Sequence, residues 1–377
     1  MKEIGLYVHI PFCIKKCKYC DFISYRQNNS MIDSYVTALT KELSMHKNTL
    51  RDYKIKTVFI GGGTPSILDI NKLDIIINQI HKNFDINSRA EVTIECNPGT
   101  LTKEKLKFYK NIGINRLSIG LQSFNNEILK FIGRIHSKED FIDNYNKARN
   151  AGFENINIDL IYGLPNQDMK DWEGTLKEVI KLKPEHVSAY SLKIEEGTVL
   201  YRLLDEKKLN LPSDEEDRDM YHFAIDLLNE NRIRQYEISN FSKNGYECMH
   251  NLIYWNNEEY LGVGVSAHSY LNQKRFSNTN DINEYINFIN RGELPIQMEE
   301  YKNKEDEITE TIFLTLRLNK GLDLMKFHDR FQVSILDIYG DKIRKLIDLG
   351  LLTIKGNHIR LTSYGMDVSN QVFVEFL

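Results

Sequence analysis

Six short apolar runs alternate with amphipathic stretches over the first half of the chain. The runs are IGLYVHI (4–10), TVFIGG (57–62), EVTIEC (91–96), RLSIGL (116–121), INIDLIYG (156–163) and HVSAYSL (186–192). Most are rich in Val, Ile or Tyr and are bounded by Gly, Pro or Asn, as is typical of buried parallel strands. The stretches between them, including 31–46, 71–84 and 102–113, repeat apolar residues at helical spacing. Six successive βα units predict an α/β fold built on a partial (β/α)6 barrel.

The pattern changes after a charged amphipathic segment at 213–232. Residues 235–280 contain short apolar runs and loops rich in aromatic residues, and the chain then becomes helical until LLTIKGNHIRLTSYG (351–365). Lys355-Gly356-Asn357 predicts a hairpin turn, so helices followed by a hairpin give a winged-helix-like order. We expect three parts, which are a core barrel over 1–234, a connecting α+β segment over 235–295, and a smaller α+β, winged-helix-like C-terminal region over 296–377.

The composition argues against several classes of protein. The 377 residues include 49 basic and 53 acidic side chains, a balance that does not favour nucleic-acid binding. Five cysteines, mostly clustered, do not indicate a secreted disulfide framework. No run approaches the ~20 apolar residues that span a bilayer, and the apolar stretch at the N-terminus is too short for a signal peptide. We therefore expect a reduced, soluble, cytoplasmic protein with no nucleic-acid partner.

Three of the five cysteines lie within HIPFCIKKCKYCDF (9–22), where Cys13, Cys17 and Cys20 have C-x3-C-x2-C spacing. Three thiolates on one loop can bind three irons of a [4Fe-4S] cluster and leave the fourth iron open to an outside ligand. A zinc site usually needs a second, separated pair of ligands, and the sequence shows none. A thioredoxin-type pair at Cys17 and Cys20 lacks the expected following helix and leaves Cys13 unexplained. The remaining two cysteines, Cys96 and Cys248, are expected to be buried small residues.

Glycines or polar residues end four consecutive predicted strands. The second strand ends in GGGTP (61–65), where glycines can bring the backbone close to a ligand, and the phosphate-loop pattern is absent. Glu95, Gln122 and Asp159 end the next three strands. Each alone fits an ordinary loop residue equally well. Because the carboxyl ends of barrel strands meet at the mouth, the four together predict a binding site there.

The cysteine motif at the end of a first barrel strand, with an aromatic residue before its last cysteine, resembles that of the radical S-adenosylmethionine superfamily. In that superfamily the open iron binds the methionine part of S-adenosylmethionine, and reduction of the sulfonium produces a deoxyadenosyl radical. The resemblance thus implies a [4Fe-4S] cluster, S-adenosylmethionine and a reductant for the cluster as partners.

The resemblance extends to one branch of the superfamily. YVHIPFC, GGGTPS, ECNP, IGLQSFN, a following arginine and DLIYGLP occur in an order and at a spacing similar to those of the oxygen-independent coproporphyrinogen III oxidase-like branch, over nearly the whole chain. This implies that S-adenosylmethionine is bound by Tyr7, Gly62, Gly63, Thr64, Glu95, Gln122, Arg134 and Asp159, with Tyr19 beside it over the cluster.

Two features divide this branch. The oxidases follow the third cysteine with glycine and another cysteine, whereas Asp21 and Phe22 follow Cys20 here. HNLIYW (250–255) is similar to the H-N-x-x-Y-W signature of the HemW-type haem chaperones. The resemblance implies haem binding by His250, with support from Asn251, Tyr254 and Trp255, and delivery of haem to haem-accepting proteins, including proteins at the membrane surface.

Alternatives to this interpretation stay open. An imidazole can ligate haem iron and aromatic rings can cover the macrocycle, but an isolated histidine in an aromatic-rich segment is more often a structural residue. Cys248 is a second candidate axial ligand. Oxidative decarboxylation of coproporphyrinogen is the alternative function, and it would make the chain an enzyme rather than a carrier.

Overall fold

The computed structural model describes residues 1–377. Its strands are β1 Lys2–Ile10, β2 Phe12–Cys13, β3 Tyr25–Arg26, β4 Tyr53–Gly62, β5 Asp85–Cys96, β6 Arg116–Gln122, β7 Ile156–Tyr162, β8 His186–Ser191, β9 Arg234–Glu237, β10 Asn240–Ser242, β11 Tyr260–Val263, β12 His268–Leu271, β13 Lys274–Asn278, β14 Ile296–Tyr301, β15 Leu322–Asp323, β16 Leu352–Lys355 and β17 His358–Leu361. Its α-helices are α1 Asn29–Met45, α2 Ile70–Asn83, α3 Lys103–Asn111, α4 Asn126–Phe131, α5 Lys138–Asn150, α6 Met169–Lys181, α7 Val199–Asp205, α8 Asp214–Glu230, α9 Met249–Trp255, α10 Ile282–Asn290, α11 Lys304–Leu316, α12 Leu324–Phe331, α13 Ile335–Asp348, α14 Ser363–Asp367 and α15 Ser369–Val374.

The six predicted strands form the centre of the molecule. They are β1, β4, β5, β6, β7 and β8, which are neighbours in that order and pair in parallel. Every residue of β6 is buried, as expected for a central strand covered on both faces. The helices between the strands start at side-chain caps, such as Asp69 for α2 and the capping box at Ser137 for α5. The α/β prediction of a partial (β/α)6 barrel is confirmed.

Short strands extend this sheet at both edges. β11 pairs in parallel with β1 and is followed by the antiparallel strands β12, β13 and β14, while β10 and β9 add antiparallel strands beside β8. The segment predicted as a connecting α+β region therefore supplies strands to both ends of one twelve-stranded sheet. The sequence motif at 250–255 lies on a helix, α9, rather than in the loop that its aromatic content suggested.

The C-terminal residues have a core of their own. A separate set of buried apolar side chains, between Ile308 and Phe376, packs α11 to α15 against the three-stranded sheet β15-β17-β16. β16 and β17 form the predicted hairpin, in which Gly356 has a positive φ of 58° and Lys355 pairs with His358. The helix-and-hairpin prediction for this region is confirmed, whereas the boundaries proposed for the three parts stay a prediction. No helix of the chain has the length and apolarity needed to cross a bilayer.

Candidate functional site

A cavity of about 510 Å³ lies at the carboxyl ends of the parallel strands. Its volume is in the range of small-molecule sites in proteins, about 300–1,000 Å³. The three loop cysteines line it, together with Tyr19, Gly62, Gly63, Thr64, Glu95, Gln122, Arg134 and Asp159. The structure thus brings together all the residues predicted for the cluster and for S-adenosylmethionine except Tyr7.

The cysteine loop between β2 and β3 is fastened to neighbouring helices. The Lys18 N–H donates to the Ile132 carbonyl at 2.9 Å, next to α4, and the Lys18 carbonyl accepts the N–H of Leu200 in α7 at 3.0 Å. Tyr19 packs against a small apolar cluster that contains Ile132 and Leu164. These contacts hold the loop over the barrel mouth.

The cysteine side chains are half-buried and differ in their surroundings. Cys13 Sγ lies 3.5 Å from Thr64 Oγ1, and the Arg134 guanidinium donates to Cys17 Sγ at 3.6 Å. Burial raises the pKa of the Cys20 thiol to about 11, so this thiol ionises only with help from a cation. No three His, Cys, Asp or Glu side chains of the chain are close enough to bind a single metal ion. This donor set fits a cluster, whose irons are bound one per cysteine at separate corners, better than zinc.

Two carboxyl groups face the same cavity. Glu95 Oε2 accepts the Gly62 N–H at 2.9 Å, and Asp159 accepts hydrogen bonds from Ser118 Oγ at 2.8 Å and Asn157 Nδ2 at 2.7 Å. Burial, with the nearby charge of Asp159, raises the pKa of Glu95 to about 8. A ligand that brings positive charge next to Glu95 would stabilise its ionised form and lower this pKa. S-adenosylmethionine, with an ammonium and a sulfonium, is such a ligand, so the carboxyl pair fits it.

Two cavity residues carry buried polar atoms without partners. Gln122 adopts a positive φ of 67° at the end of β6, and its Oε1 has no hydrogen-bond partner. Arg134 donates to the Asn97 side chain and, at 2.8 Å, to the Gly120 carbonyl, but its Nε is unpartnered. Buried polar atoms are normally satisfied, so these atoms indicate a site that a ligand completes.

The amide groups of the glycine run have hydrogen-bond partners within the protein. The amide N–H groups of Gly63 and Thr64 donate to the carbonyls of Ile10 and Phe12, and that of Gly62 donates to Glu95. A Cβ at Gly63 would lie 2.7 Å from the Phe12 carbonyl oxygen. Gly63 therefore lets the end of β4 approach β2 closely, and the contact of Gly62, Gly63 and Thr64 with S-adenosylmethionine stays a prediction.

Tyr7 lies below the cavity. Its hydroxyl lies 3.0 Å from His9 Nδ1, and its ring stacks on Phe59 with the centroids 6.2 Å apart. Tyr7 does not line the cavity, so its contact with S-adenosylmethionine stays a prediction.

Sequence reasoning missed several residues that line the cavity, among them Asn97, Ser118, Tyr190 and Lys193. The positions of two of these residues in the sequence could have identified them. Tyr190 precedes Ser191 at the end of the sixth strand, a strand-end position of the kind that identified Glu95. Ser118 is four residues before Gln122 on the same strand, and so belongs to the same face by β periodicity. Asn97 and Lys193 lie in loops, where no periodicity points to a face.

The histidine of the 250–255 motif lies on the inner face of the barrel. His250 is 1% exposed, its Nδ1 lies 2.7 Å from Thr57 Oγ1, and its Nε2 lies 2.8 Å from the Tyr254 hydroxyl. Its backbone N–H donates to Glu91, four residues before Glu95 on β5, or about 13 Å along the strand. Burial and the charge of Arg116 lower the pKa of His250 to about 3. In this conformation both ring nitrogens are occupied, so ligation of haem here would require α9 to move.

The other residues of this motif, and Cys248 before it, are also partly or fully buried. Tyr254 packs edge-on against His250, and the Trp255 ring lies under the Arg317 guanidinium at 4.9 Å, with its indole N–H unpartnered. Asn251 is half-buried. Cys248 is fully buried, and burial raises the pKa of its thiol to about 12. Cys96 is also buried, so the prediction that these two cysteines are buried small residues is confirmed.

Comparison with known proteins places the chain in a family. A model of the radical SAM superfamily matches residues 7–179, and a model of the HemN C-terminal domain matches residues 303–368. The chain is 38% identical to heme chaperone HemW of Lactococcus lactis, covering 100% of this chain and 98% of that protein, and 37% identical to heme chaperone HemW of Bacillus subtilis, covering 98% of both. The chain belongs to the HemW family.

The HemW family assignment agrees with the structural comparison. The fold matches coproporphyrinogen III oxidase (HemN) from Escherichia coli, a radical SAM enzyme, with a TM-score of 0.87 and 25% identity over 100% of this chain and 90% of that one. The resemblance to the coproporphyrinogen oxidase-like branch and to its HemW-type members is thus confirmed.

Proposed function

We propose that this protein is a haem chaperone that carries a [4Fe-4S] cluster and S-adenosylmethionine and delivers haem to haem-requiring proteins. The observation that carries the proposal is full-length similarity to heme chaperones named HemW. It is supported by one cavity that is lined by the three cysteines and by most of the residues predicted to bind S-adenosylmethionine. Its partners would be haem, haem-accepting proteins, including ones at the membrane surface, and a reductant for the cluster.

In this proposal Cys13, Cys17 and Cys20 hold the cluster. Such a cluster with S-adenosylmethionine supplies one-electron chemistry, and the protein supplies binding, orientation and electrostatics. Arg134 donates to the Cys17 sulfur at 3.6 Å and places a positive charge beside the cysteine loop. Glu95 and Asp159 would accept hydrogen bonds from the amino acid and ribose parts of S-adenosylmethionine.

Oxygen-independent coproporphyrinogen III oxidase is the second candidate, favoured by the close structural match to HemN. Against it, Asp21 follows Cys20 where the sequence pattern of the oxidases has glycine and then another cysteine. The oxidase would consume coproporphyrinogen, whereas a chaperone would bind haem without changing it.

The test uses the full chain, purified without oxygen and reconstituted with iron and sulfide. We expect haem to bind with a shifted Soret band and to pass from the loaded protein to an apo-haemoprotein, with no loss of coproporphyrinogen in the presence of S-adenosylmethionine and reductant. If the protein consumes coproporphyrinogen and does not bind haem, the chaperone proposal is wrong and the oxidase is the function.

A further inference from the structure

Three polar side chains form a row across neighbouring strands at the cysteine cavity and directly below it. Ser118 of β6, Asn157 of β7 and His186 of β8 are register partners, and they are 5%, 2% and 0% exposed. Asp159 follows Asn157 by two residues on β7, so it lies on the same face and one step nearer the mouth. Barrel interiors are usually filled by branched apolar side chains, and buried polar groups are costly unless they are hydrogen-bonded. The partners of this polar row therefore indicate what it does.

The polar row holds the Asp159 carboxylate by both oxygens. Ser118 Oγ donates to Asp159 Oδ2 at 2.8 Å, and Asn157 Nδ2 donates to Asp159 Oδ1 at 2.7 Å. Asn157 Nδ2 also donates to Ser118 Oγ at 2.8 Å, so the two donors are joined to each other. These bonds fix the plane of the carboxylate. Each oxygen still has a lone pair for a ligand, because an ionised carboxylate can accept about four hydrogen bonds.

His186 sets the orientation of the Asn157 amide. His186 Nδ1 lies 2.6 Å from Asn157 Oδ1, and because this oxygen can only accept, Nδ1 carries the proton. If the amide were turned over, its oxygen would face the Asp159 carboxylate, and two acceptors would oppose each other. Burial and the charge of Arg116 lower the pKa of His186 well below its usual value. The ring is therefore neutral, and its one N–H is directed at Asn157.

Tyr236 sets the tautomer of His186. Because Nδ1 of the neutral ring carries the proton, Nε2 is an acceptor, and the Tyr236 hydroxyl donates to it at 2.9 Å. The same hydroxyl accepts the backbone N–H of Cys248 at 3.3 Å. Successive donors thus all point towards the Asp159 carboxylate. Hydrogen bonds aligned in one direction strengthen one another by polarisation.

We propose that His186 is a positioning residue for S-adenosylmethionine, which acts through Asn157 to hold the Asp159 carboxylate in place for the ribose hydroxyls of the ligand. A carboxylate that is already oriented does not have to be ordered when the ligand binds, so affinity is higher. The proposal rests on the S-adenosylmethionine site of the proposed function. It adds to that site three residues that do not line the cavity, which are Asn157, His186 and Tyr236.

The test is a calorimetric titration of the full-length protein, reconstituted with iron and sulfide, with S-adenosylmethionine. His186→Leu removes the donor to Asn157 and should weaken binding about tenfold. His186→Asn has a side chain of similar size that can place an amide N–H near the position of Nδ1, so its affinity should stay within about threefold of the wild type. His46→Leu is the matched control, because His46 is also buried but lies at the C-terminal end of α1. Its affinity should equal that of the wild type.

A double-mutant cycle separates positioning from a general loss of structure. If His186 acts through Asp159, His186→Leu should change the affinity of an Asp159→Asn protein by less than about twofold. Equal weakening with and without the Asp159→Asn change would overturn the proposal. Tyr236→Phe repeats the cycle if His186→Leu does not fold, since it removes only a hydroxyl. It should weaken binding about threefold, and this effect should also disappear with Asp159→Asn.

A second readout needs neither the cluster nor S-adenosylmethionine. In protein with isotope-labelled histidine, nitrogen NMR should show a neutral His186 ring protonated at Nδ1 from about pH 6 to about pH 8, and these signals should be absent in His186→Asn. Tyr236→Phe should shift the ring towards the tautomer protonated at Nε2. A wild-type ring that is charged or protonated at Nε2 would contradict the proposed direction of the hydrogen bonds.

The outcomes also separate this inference from the function on which it rests. If the wild type binds S-adenosylmethionine and His186→Leu binds it equally well, the role of His186 is wrong while the proposed function stands. If the wild type with a complete cluster binds no S-adenosylmethionine, the proposed cofactor site itself is wrong, and the role of His186 with it.

Discussion

Replacing His250 by Ala should lower the free energy of unfolding by about 3–5 kcal/mol. The change removes a ring that is 1% exposed and leaves Thr57 Oγ1 and the Tyr254 hydroxyl without their partner. Loss of a large buried side chain costs about 2–5 kcal/mol, and each buried polar group left unsatisfied costs about 1–3 kcal/mol. Partial collapse of the cavity and rotation of the two hydroxyls keep the total below the sum of these terms.

The effect of this substitution should depend on pH. Burial and the charge of Arg116 hold the pKa of His250 at about 3, whereas an unfolded histidine titrates near 6.5. The unfolded state thus binds more protons between these values, and the stability that neutral His250 gives is lost as pH falls below about 6.5. At pH 5 this loss is about 2 kcal/mol. The difference between wild type and His250→Ala should therefore shrink by that amount between pH 7.5 and pH 5.

The assay is urea unfolding of both proteins at the two pH values, followed by circular dichroism, with hemin titration of the folded proteins. His268→Ala serves as the matched control, since that histidine is exposed and its loss should leave the midpoint unchanged. An unchanged midpoint for His250→Ala, together with loss of hemin binding, would refute the argument. In that case α9 opens readily and His250 serves as the haem ligand that its sequence motif suggested.

Three further predictions follow from the same structure. Ala at any of the three loop cysteines should abolish the [4Fe-4S] absorbance and its spin-resonance signal after reconstitution, whereas Cys248→Ala should keep both. Glu95→Ala and Asp159→Ala should each weaken S-adenosylmethionine binding by about 1.5–3 kcal/mol, measured by calorimetry, with iron content unchanged. Burial raises the pKa of Glu42 to about 7 despite its hydrogen bonds from Tyr285, Gly264 and Asn278, so the native carboxyl is protonated at low pH. Up to about 3 kcal/mol of stability should be lost as pH rises from 4.5 through 7, and Glu42→Gln should flatten this dependence in urea midpoints.

The parallel sheet could be predicted from sequence because its strands are buried on both faces. Such strands appear as continuous apolar runs, and the helix between two runs repeats its apolar residues at helical spacing. Both patterns can be recognised in the sequence without knowing which strand pairs with which. The cavity at the barrel mouth followed from topology, since residues at the carboxyl ends of neighbouring parallel strands, such as Glu95 and Gln122, must lie at one edge. Asp159 lines the same cavity from the middle of β7.

The short edge strands and the place of α9 could not be predicted in this way. β9 to β13 have three to five residues each, too few to show a period, and the strands through which they join the sheet, β1 and β8, are distant in sequence. The segment 250–255 combines polar and aromatic residues because its helix is enclosed within the protein. Thr57 and Glu91 form hydrogen bonds with His250, and Tyr260 packs edge-on against Tyr254. The resemblance of this segment to the H-N-x-x-Y-W signature implied haem binding by His250, which stays a prediction. In the structure both ring nitrogens of His250 have hydrogen-bond partners within the protein.

Arg116 connects the two ends of the barrel interior. It is 2% exposed, and the charges of Cys248 and Glu91 beside α9 and of Asp159 at the mouth raise its pKa against the opposing effect of burial. A buried guanidinium is costly unless negative charge is near, and a buried carboxyl needs positive charge to ionise. Arg116 lowers the pKa of Glu95 against the opposing effects of burial and Asp159, and it also helps to keep His250 neutral. The same side chain thus favours the ionised carboxylate of Glu95 at the mouth and the uncharged imidazole of His250 beside α9.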